Sequence, residues 1–460
     1  MSLIIPANSL SGGFAVDNSL RFNDASSDYL NRTPGSAGNQ KLFTYSVWIK
    51  RGQLGSNQNI FHEYPGSGQR SDIIFRSADT IRVSLEKSNS NQLLTNRVFR
   101  DTSAWYHLVV VYDSDNSTAG NRVKLYVNGV RETSFATAQY PSSGSTSQVN
   151  TTTQHEISSY DGAGYYFEGS MSHINFIDGT VYDATAFGEY DANGVWTIKT
   201  SPSVTYGTNG FFILKNGNSV TDQSGNSNNF TVGGGTLTNT EDSPSNVFAT
   251  LNPLALSGQT SSFSNGNTKA QTATAQASNQ VSTLAASSGK YYWEIKCDAI
   301  SSDEDPFIFG IMEVQSYPTS RFSVLSTGYG YKGFTGDKIN TNVSSSYGDA
   351  YAVGDIISVA VDLDNNKIYF AKNGTWQNSG VPTSGATGTG AAFTINDGTY
   401  FAAQCCEGST RNVTYSTNFG NGYFGTTEVT DAGINASGIG IFEYDVPTGF
   451  TALSTKGLNL

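Results

Sequence analysis

Apolar and polar positions alternate with a period of two along most of this chain. That is the spacing of strands, whose side chains point to opposite faces in turn. The clearest stretch is residues 105–131, WYHLVVVYDSDNSTAGNRVKLYVNGVR. Leu108, Val109, Val110, Val111 and Tyr112 form an apolar, β-branched run that predicts a central strand. Residues 113–121 are polar and rich in turn formers. Val123, Leu125 and Val127 then alternate with Lys124, Tyr126 and Asn128, which predicts a return strand with one wet face. Asn128-Gly129 predicts a tight reversal, because both residues tolerate positive φ.

The same plan returns at residues 356–376. Ile357, Val359, Val361 and Leu363 alternate with Ile356, Ser358, Ala360 and Asp362. Asp364-Asn365-Asn366 is the turn, residues 367–372 return, and Asn373-Gly374 reverses again. Before and after the first hairpin, short strands are predicted at 43–50, 59–64, 72–75, 80–85, 165–177 and 204–214, with Gly169 as a bulge or bend. Residues 136–153 read as a long loop, and 184–194 as the one short helix. Further strands are predicted at 290–297, 307–314, 328–334, 393–404 and 413–419. Gly233-Gly234-Gly235 and Glu241-Asp242-Ser243-Pro244 place a seam between about 233 and 250. The expected fold is all-β: two antiparallel, jelly-roll-like sandwiches in tandem. The expected boundaries are an N-terminal arm (1–18), a first sandwich (19–235), a linker (236–250) and a second sandwich (251–460).

Composition agrees with that picture. A chain of 460 residues is too long for a single core. Its 25 Tyr and 26 Phe speak against disorder, and its 49 Gly suit many tight turns. The net charge of −12 comes without any basic block, so nucleic acid is not an expected partner. No stretch approaches the roughly 18 apolar residues of a membrane span, and no basic amphipathic helix is present, so membrane insertion is not expected. The start, MSLIIPANSLSGG, has a short apolar run broken by Pro6 and no basic segment before it; it does not read as a signal peptide. Synthesis in a reducing cytoplasm is expected. The three cysteines make no disulfide framework and are expected as free core thiols.

Residues 19–180 resemble the laminin-G-like branch of the concanavalin A-like lectin/glucanase superfamily. The resemblance is carried by SLRFN at Ser19, FTYSVWIKRG at Phe43, WYHLVVVYD at Trp105, VKLYVNGV at Val123 and FEGSMSHINFIDG at Phe167. It implies a two-sheet jelly roll. Residues 250–425 resemble a SPRY domain through Tyr292-Trp293-Glu294-Ile295, Phe309-Gly310-Ile311 and the run from Ile368 to Asn373-Gly374. That implies a second bent sandwich whose exposed loops bind partners. The chain also resembles structural proteins of tailed bacteriophages, especially marine ones, through LIIPANSLSGG, SLRFNDASSDYLNRTPGSAGNQ, DQSGNSNNFTV and SPSNVFATLNPL. This last resemblance implies a protein of the virion surface, made in the host cytoplasm without a signal peptide. The role it implies is a non-catalytic tail-fibre or spike component that binds host-surface carbohydrate or protein. The implied partners include other virion proteins and further copies of the chain. A head decoration or head-fibre protein is the alternative, and a polysaccharide-degrading enzyme a third reading. The Ile4-Ile5 arm is a candidate docking element.

The candidate chemistry is sparse. Glycoside hydrolysis needs paired carboxylates. The nearest strand-spaced motif, Glu189-Tyr190-Asp191, lacks its third acid, because Gly194 stands there; no catalytic residues are assigned. His62, His107, His155 and His173 have no nucleophile placed beside them by sequence and read as packed or surface side chains. No cofactor is expected apart from a possible Ca²⁺: Asp113, Asp115 and Ser117 have the alternate spacing of a Ca²⁺ loop without its Gly and distal Glu. Asp303-Glu304-Asp305 reads as a solvated turn. Sugar binding favours exposed aromatic faces beside polar groups. The candidate ligand-binding residues are Tyr64, Tyr160 and Tyr165 in the first half, and Arg321, Tyr329 and Tyr331 in the second.

Overall fold

The structure is a computed structural model that describes residues 16–66, 69–86, 92–215, 217, 219–255, 261–272, 279–300, 307–313, 321–406 and 413–459, and of residues 64–66 and 69–70 only the backbone. The Ile4-Ile5 arm, the Tyr64 side chain and Asp303-Glu304-Asp305 lie outside the described residues. The chain forms two compact units, one ending at Ser245 and the next beginning at Asn246. The fold is all-β, as the period-two pattern requires. Among the described residues the helical turns are short 3-10 turns, and the helix expected at 184–194 reduces to Ala184–Ala186 followed by the strand Gly188–Tyr190.

In the first unit one sheet runs, in spatial order, Val130–Arg131, Val123–Val127, Trp105–Asp113, Leu42–Arg51, Gly169–Asp178, Ser19–Phe22 and Thr238–Thr240. The facing sheet runs Phe135–Ala138, Gln92–Thr95, Ile81–Ser84, Gln69–Phe75, Gln58–Gly66, His155–Ile157, Tyr29–Arg32 and Thr231–Gly234. Alternation explains the core between them: Leu108, Val110, Tyr112, Leu125 and Val127 of the first sheet meet Leu30, Phe61, Ile73 and Val83 of the second. The strand Trp105–Asp113 is covered on its other face too, where Val109 and Val111 pack with Ala184 and Phe187. That is why its sequence is apolar without a break. Val123, Leu125 and Val127 are buried while Lys124 and Tyr126 are half-buried, as the pattern predicts.

Three expectations change here. Gly169 is not the bulge. It stands with φ 142°, where a Cβ would lie 2.2 Å from the Lys50 carbonyl oxygen, and the register shifts further on, between Ser172 and Asn175, around His173 with φ 49°. The stretch read as a linker holds the strand Thr238–Thr240, paired with Ser19–Phe22. Its Asp242 is buried 2.6 Å from Lys50 Nζ, so an acidic, Pro-containing text that looks exposed is locked by a partner far off in sequence. Residues 16–18 are no free arm: the Val16 N–H donates to Ser245 Oγ at 2.9 Å and its carbonyl accepts from Ser243 Oγ at 2.6 Å.

In the second unit one sheet is ordered Ser261–Ser264, Lys269–Thr272, Val413–Asn418, Lys290–Ile300, Ile356–Asp362, Lys367–Lys372 and Thr375–Trp376. The other is ordered Asn279–Ala286, Tyr400–Cys406, Phe307–Glu313, Gly328–Lys332, Asp337–Asn340 and Val343–Ser346. Trp293, Ile295, Val359 and Phe370 pack between them against Phe309 and Tyr331. The strand Ile356–Asp362 is buried on both faces, because Ala360 meets Tyr292, Phe442 and Phe450 on the outer side. The cysteines are free and buried, and neighbouring Cys405 and Cys406 enter different clusters, as alternation demands.

Candidate functional site

In the first unit the loop 158–166, SSYDGAGYY, follows the strand His155–Ile157. Four of its residues have left-handed backbone: Ser158 (φ 77°), Asp161 (54°), Gly162 (58°) and Tyr165 (50°). For an aromatic residue that conformation is uncommon and must be held by its surroundings. The Tyr160 N–H donates to the Gly164 carbonyl at 2.8 Å and the Ala163 N–H to the Tyr160 carbonyl at 3.0 Å, closing a tight turn. The neighbouring strand clamps the loop from the side. The Asn59 N–H donates to the Tyr165 carbonyl at 2.8 Å, and Asn59 Nδ2 to the Ser159 carbonyl at 3.0 Å.

Glu156 supports the loop from below. Its Oε2 accepts from Ser159 Oγ at 2.7 Å and from the Gly162 N–H at 3.0 Å, and its Oε1 accepts from Gln154 Nε2 at 2.8 Å. Burial pushes this carboxyl up, but His62 beside it and these hydrogen bonds outweigh burial and hold it below the usual carboxylate range. Glu156 is the middle of a row. Register pairs Asn31 with Glu156, Glu156 with His62 and His62 with Asp72, so all four share one face of the sheet. Arg82 grips Asp72 through two nitrogens, with Nε 3.1 Å from Oδ1. His62, Asp72 and Glu156 are buried.

Four tyrosines gather on this platform. Tyr160 and Tyr165 meet edge to face at 5.5 Å and 63°, and Tyr160 lies 4.7 Å from the His62 ring. The Tyr166 hydroxyl donates to the Gly162 carbonyl at 2.6 Å, and its ring lies 6.2 Å from Tyr29. Tyr165 is 43 % exposed, and Asp161 and Ala163 are also exposed. Tyr160 and Tyr165, chosen from sequence, are thus brought together. Tyr29 and Tyr166 were missed. Tyr166 could have been found from the doublet beside Tyr165; Tyr29 is 131 positions away from Tyr160 and gives no local signal.

The candidates of the second half do not form a surface. Tyr329 and Tyr331 are buried, because Gly328, Gly330 and the two tyrosines alternate and both rings fall on the core face. Tyr331 stacks on Phe370 at 5.3 Å and bonds the Asp349 carbonyl, while Tyr329 Oη accepts from the Asn396 N–H at 3.2 Å. Arg321 lies at the start of a 3-10 turn and bonds Asn342 Oδ1 instead of joining them.

The acids are engaged in structure. Asp113 Oδ2 accepts from Asn116 Nδ2 at 2.9 Å, and Asp115 lies 3.5 Å from Lys41 Nζ at an exposed position. Among the described residues no group of three His, Cys, Asp or Glu side chains is placed to hold a metal ion. Glu189 lies 3.6 Å from Lys199 Nζ, and Asp191 Oδ1 caps its own turn, accepting from the Asn193 N–H at 2.9 Å and the Val195 N–H at 2.8 Å. A glycosidase needs one carboxyl kept protonated next to the sugar. Glu156 is held below the usual carboxylate range, the reverse of that need. Glu294, which burial raises to about 7, is fully buried and accepts from two backbone N–H groups, Tyr292 and Asn418. Tyr165 and its neighbours are suited to holding a ligand by contact.

Residues 24–185 match the profile of the concanavalin A-like lectin/glucanases superfamily, and residues 290–422 match that of the SPRY domain. Among solved structures, the chain is similar to the SPRY domain of human HERC1 at 15 % identity and a TM-score of 0.31, covering 36 % of this chain and 96 % of that one. It is also similar to stonustoxin at 15 % identity and a TM-score of 0.26, covering 37 % of this chain and 27 % of that one. No curated protein matches the sequence.

Proposed function

We propose that this chain, a concanavalin A-like domain followed by a SPRY domain, is a non-catalytic binding protein of a tailed-phage virion. In this reading it is a fibre or spike component that holds a glycan or protein of the host surface. Both domains are of types that generally bind, which supports the binding half of the reading. The phage half is supported by the four strings quoted above, among them SLRFNDASSDYLNRTPGSAGNQ and DQSGNSNNFTV. The observation that carries the proposal is the loop 158–166. An exposed Tyr165 is fixed in an unfavourable backbone conformation by a buried carboxylate and a neighbouring strand. A ring ordered in advance loses little conformational freedom when it binds. Strain of this kind, observed first, is a pointer to function.

The test uses the full chain, fluorescently labelled, on host cells, with immunogold labelling of the parent particle. Staining of cells together with gold at the tail is the expected result. Gold spread over the head, with capsid binding and no cell staining, would replace this reading with head decoration. Cleavage of host polysaccharide that Glu189→Gln abolishes would overturn the non-catalytic part.

A further inference from the structure

We infer that residues 433–449 are a strap, latched by Glu294 across the outer face of the second domain, and that the latch loosens as the pH rises. The strap lies beyond the stretch that matches the SPRY profile, which ends at residue 422. Phe442 and Val446 of the strap, with Phe450 just after it, pack on Tyr292, Ala360 and Tyr369. Phe442 meets the Tyr292 ring edge to face at 5.0 Å and 85°. The strap is braced within itself. The Gly433 N–H donates to the Phe442 carbonyl at 2.9 Å, the Val446 N–H to the Ile434 carbonyl at 2.8 Å, and the Ile434 N–H to Asp445 Oδ1 at 2.7 Å. Its backbone is tied to the body of the domain around Glu294. The Glu443 N–H donates to Glu294 Oε2 and the Tyr444 N–H to Glu294 Oε1, both at 2.9 Å. Beside them Asn418 Nδ2 donates to the Ile441 carbonyl at 2.9 Å, and the Ile441 N–H to the Gly420 carbonyl at 3.0 Å.

Glu294 is fully buried, and among the described residues no Lys or Arg pairs with it. The ionisable groups around it are Tyr292 on its own strand, Glu443 and Tyr444 on the strap, and Asp355 beside Tyr444. Lys372 is taken by that Asp355, at 3.2 Å. A buried charge without a counter-ion is costly, and neutral donors offset only part of the cost. Burial raises this carboxyl to about 7, against the hydrogen bonds that lower it. The neutral acid has a place for its proton. The Tyr292 hydroxyl lies 2.9 Å from both Glu294 Oε1 and Ser358 Oγ, so it can accept from the acid and donate to the serine. With the strap lifted, water reaches the carboxyl and its ordinary value of 4.5 returns. The closed strap thus favours the protonated acid and the open one the carboxylate. By linkage the latch holds fully below about 4.5 and weakens as the pH rises through 7, shifting the population toward the open form.

Hydrogen exchange of the full chain, followed by mass spectrometry between pH 5 and 8 and corrected for the intrinsic pH dependence of exchange, reads the opening directly. Peptides covering 433–449 are expected to lose about tenfold or more in protection between pH 5 and 8, while the strand Ile356–Asp362 beneath them keeps its own. In Glu294→Gln the protection of the strap is expected not to change with pH. Glu443→Gln, which removes the strap's own acid and leaves the latch, is expected to keep the pH dependence of the parent. Constant protection of the strap in the parent would overturn the inference, whether or not Glu294→Gln folds. A parallel loss in Ile356–Asp362 would overturn it too, since the domain would then open as a whole. Loss of the pH dependence in Glu443→Gln would do the same, by putting the titrating group on the strap itself.

Discussion

Lys50 and Asp242 are 192 positions apart, yet their charged groups lie 2.6 Å from each other, both nearly buried, with Trp105 Nε1 donating to the same carboxylate at 3.3 Å. Such a pair adds little net stability over an apolar one, but breaking it leaves a charge in a poorly solvated place. Asp242→Ala is expected to lower stability by about 3–5 kcal/mol, and Asp242→Asn by less, read from urea unfolding of the full chain. A loss within about 0.5 kcal/mol would mean that the site is wetter than it looks. His107 shows the same logic without charge. Its Nδ1 accepts from Trp196 Nε1 at 3.0 Å, so Nε2 carries the proton and donates to Ser46 Oγ at 2.9 Å. The ring is stacked between Trp48 and Trp196, at 4.8 Å and 5.9 Å. Sequence left His107 as a packed or a surface side chain; only the fold decides that it is packed and what packs on it, because Trp196 is 89 positions on.

At the scale of elements, the hairpin of Trp105–Asp113 and Val123–Val127 shows why a dipeptide is so informative. Asn128 (φ 48°) and Gly129 (φ 81°) make the reversal that their types permit, and the Asn128 side chain accepts from the His107 N–H at 2.7 Å. Gly129 has a second duty that only packing reveals. A Cβ there would come within 2.5 Å of the Trp196 ring. At Gly194, with φ 77°, a Cβ meets nothing within 4 Å. Gly194→Ala should therefore cost about 1 kcal/mol from backbone conformation alone, and Gly129→Ala about 1–3 kcal/mol more, read from thermal unfolding with tryptophan fluorescence. Equal losses would show that Trp196 yields easily. The loop 158–166 marks the opposite limit: a strand is expected from residue 165, but the segment is an irregular loop whose shape is set by Glu156 and Asn59 from neighbouring strands.

At the scale of the molecule, the two domains are expected to respond to pH in opposite directions. All four histidines are in the first. Burial pushes His107 and His173 down to about 3 and His155 to about 4. Groups with depressed values contribute stability that is full above the unfolded value of about 6.5 and is lost as pH falls toward the folded one. At pH 5 each of the three withdraws about 2 kcal/mol, which is large beside the net stability of a domain. Glu294 of the second domain has the reverse sign. With its folded value raised to about 7, its contribution is full below about 4.5 and is lost as pH rises to 7. Calorimetry of the full chain between pH 5 and 8 should show one transition rising with pH and another falling, and Glu294→Gln should flatten the second. Two transitions that move together would refute the assignment.

The chain's own text determined the fold class, the place of most strands, the two reversals at Asn-Gly and two members of the tyrosine cluster. Each of these is a local property: a period of two, a residue type that tolerates positive φ, aromatics beside glycine. Tertiary structure alone decided which tyrosines face out. Gly-Tyr-Gly-Tyr at 328–331 and Tyr-Asp-Gly-Ala-Gly-Tyr at 160–165 look alike as text, yet the first alternates into a core and the second lies on the surface of a loop. It also decided that residues 238–243 close the first domain, since a short strand and a buried acid draw their meaning from Ser19–Phe22 and Lys50 far away in the sequence. Periodicity says that a side chain has a face; only the partner strand says whether that face is wet.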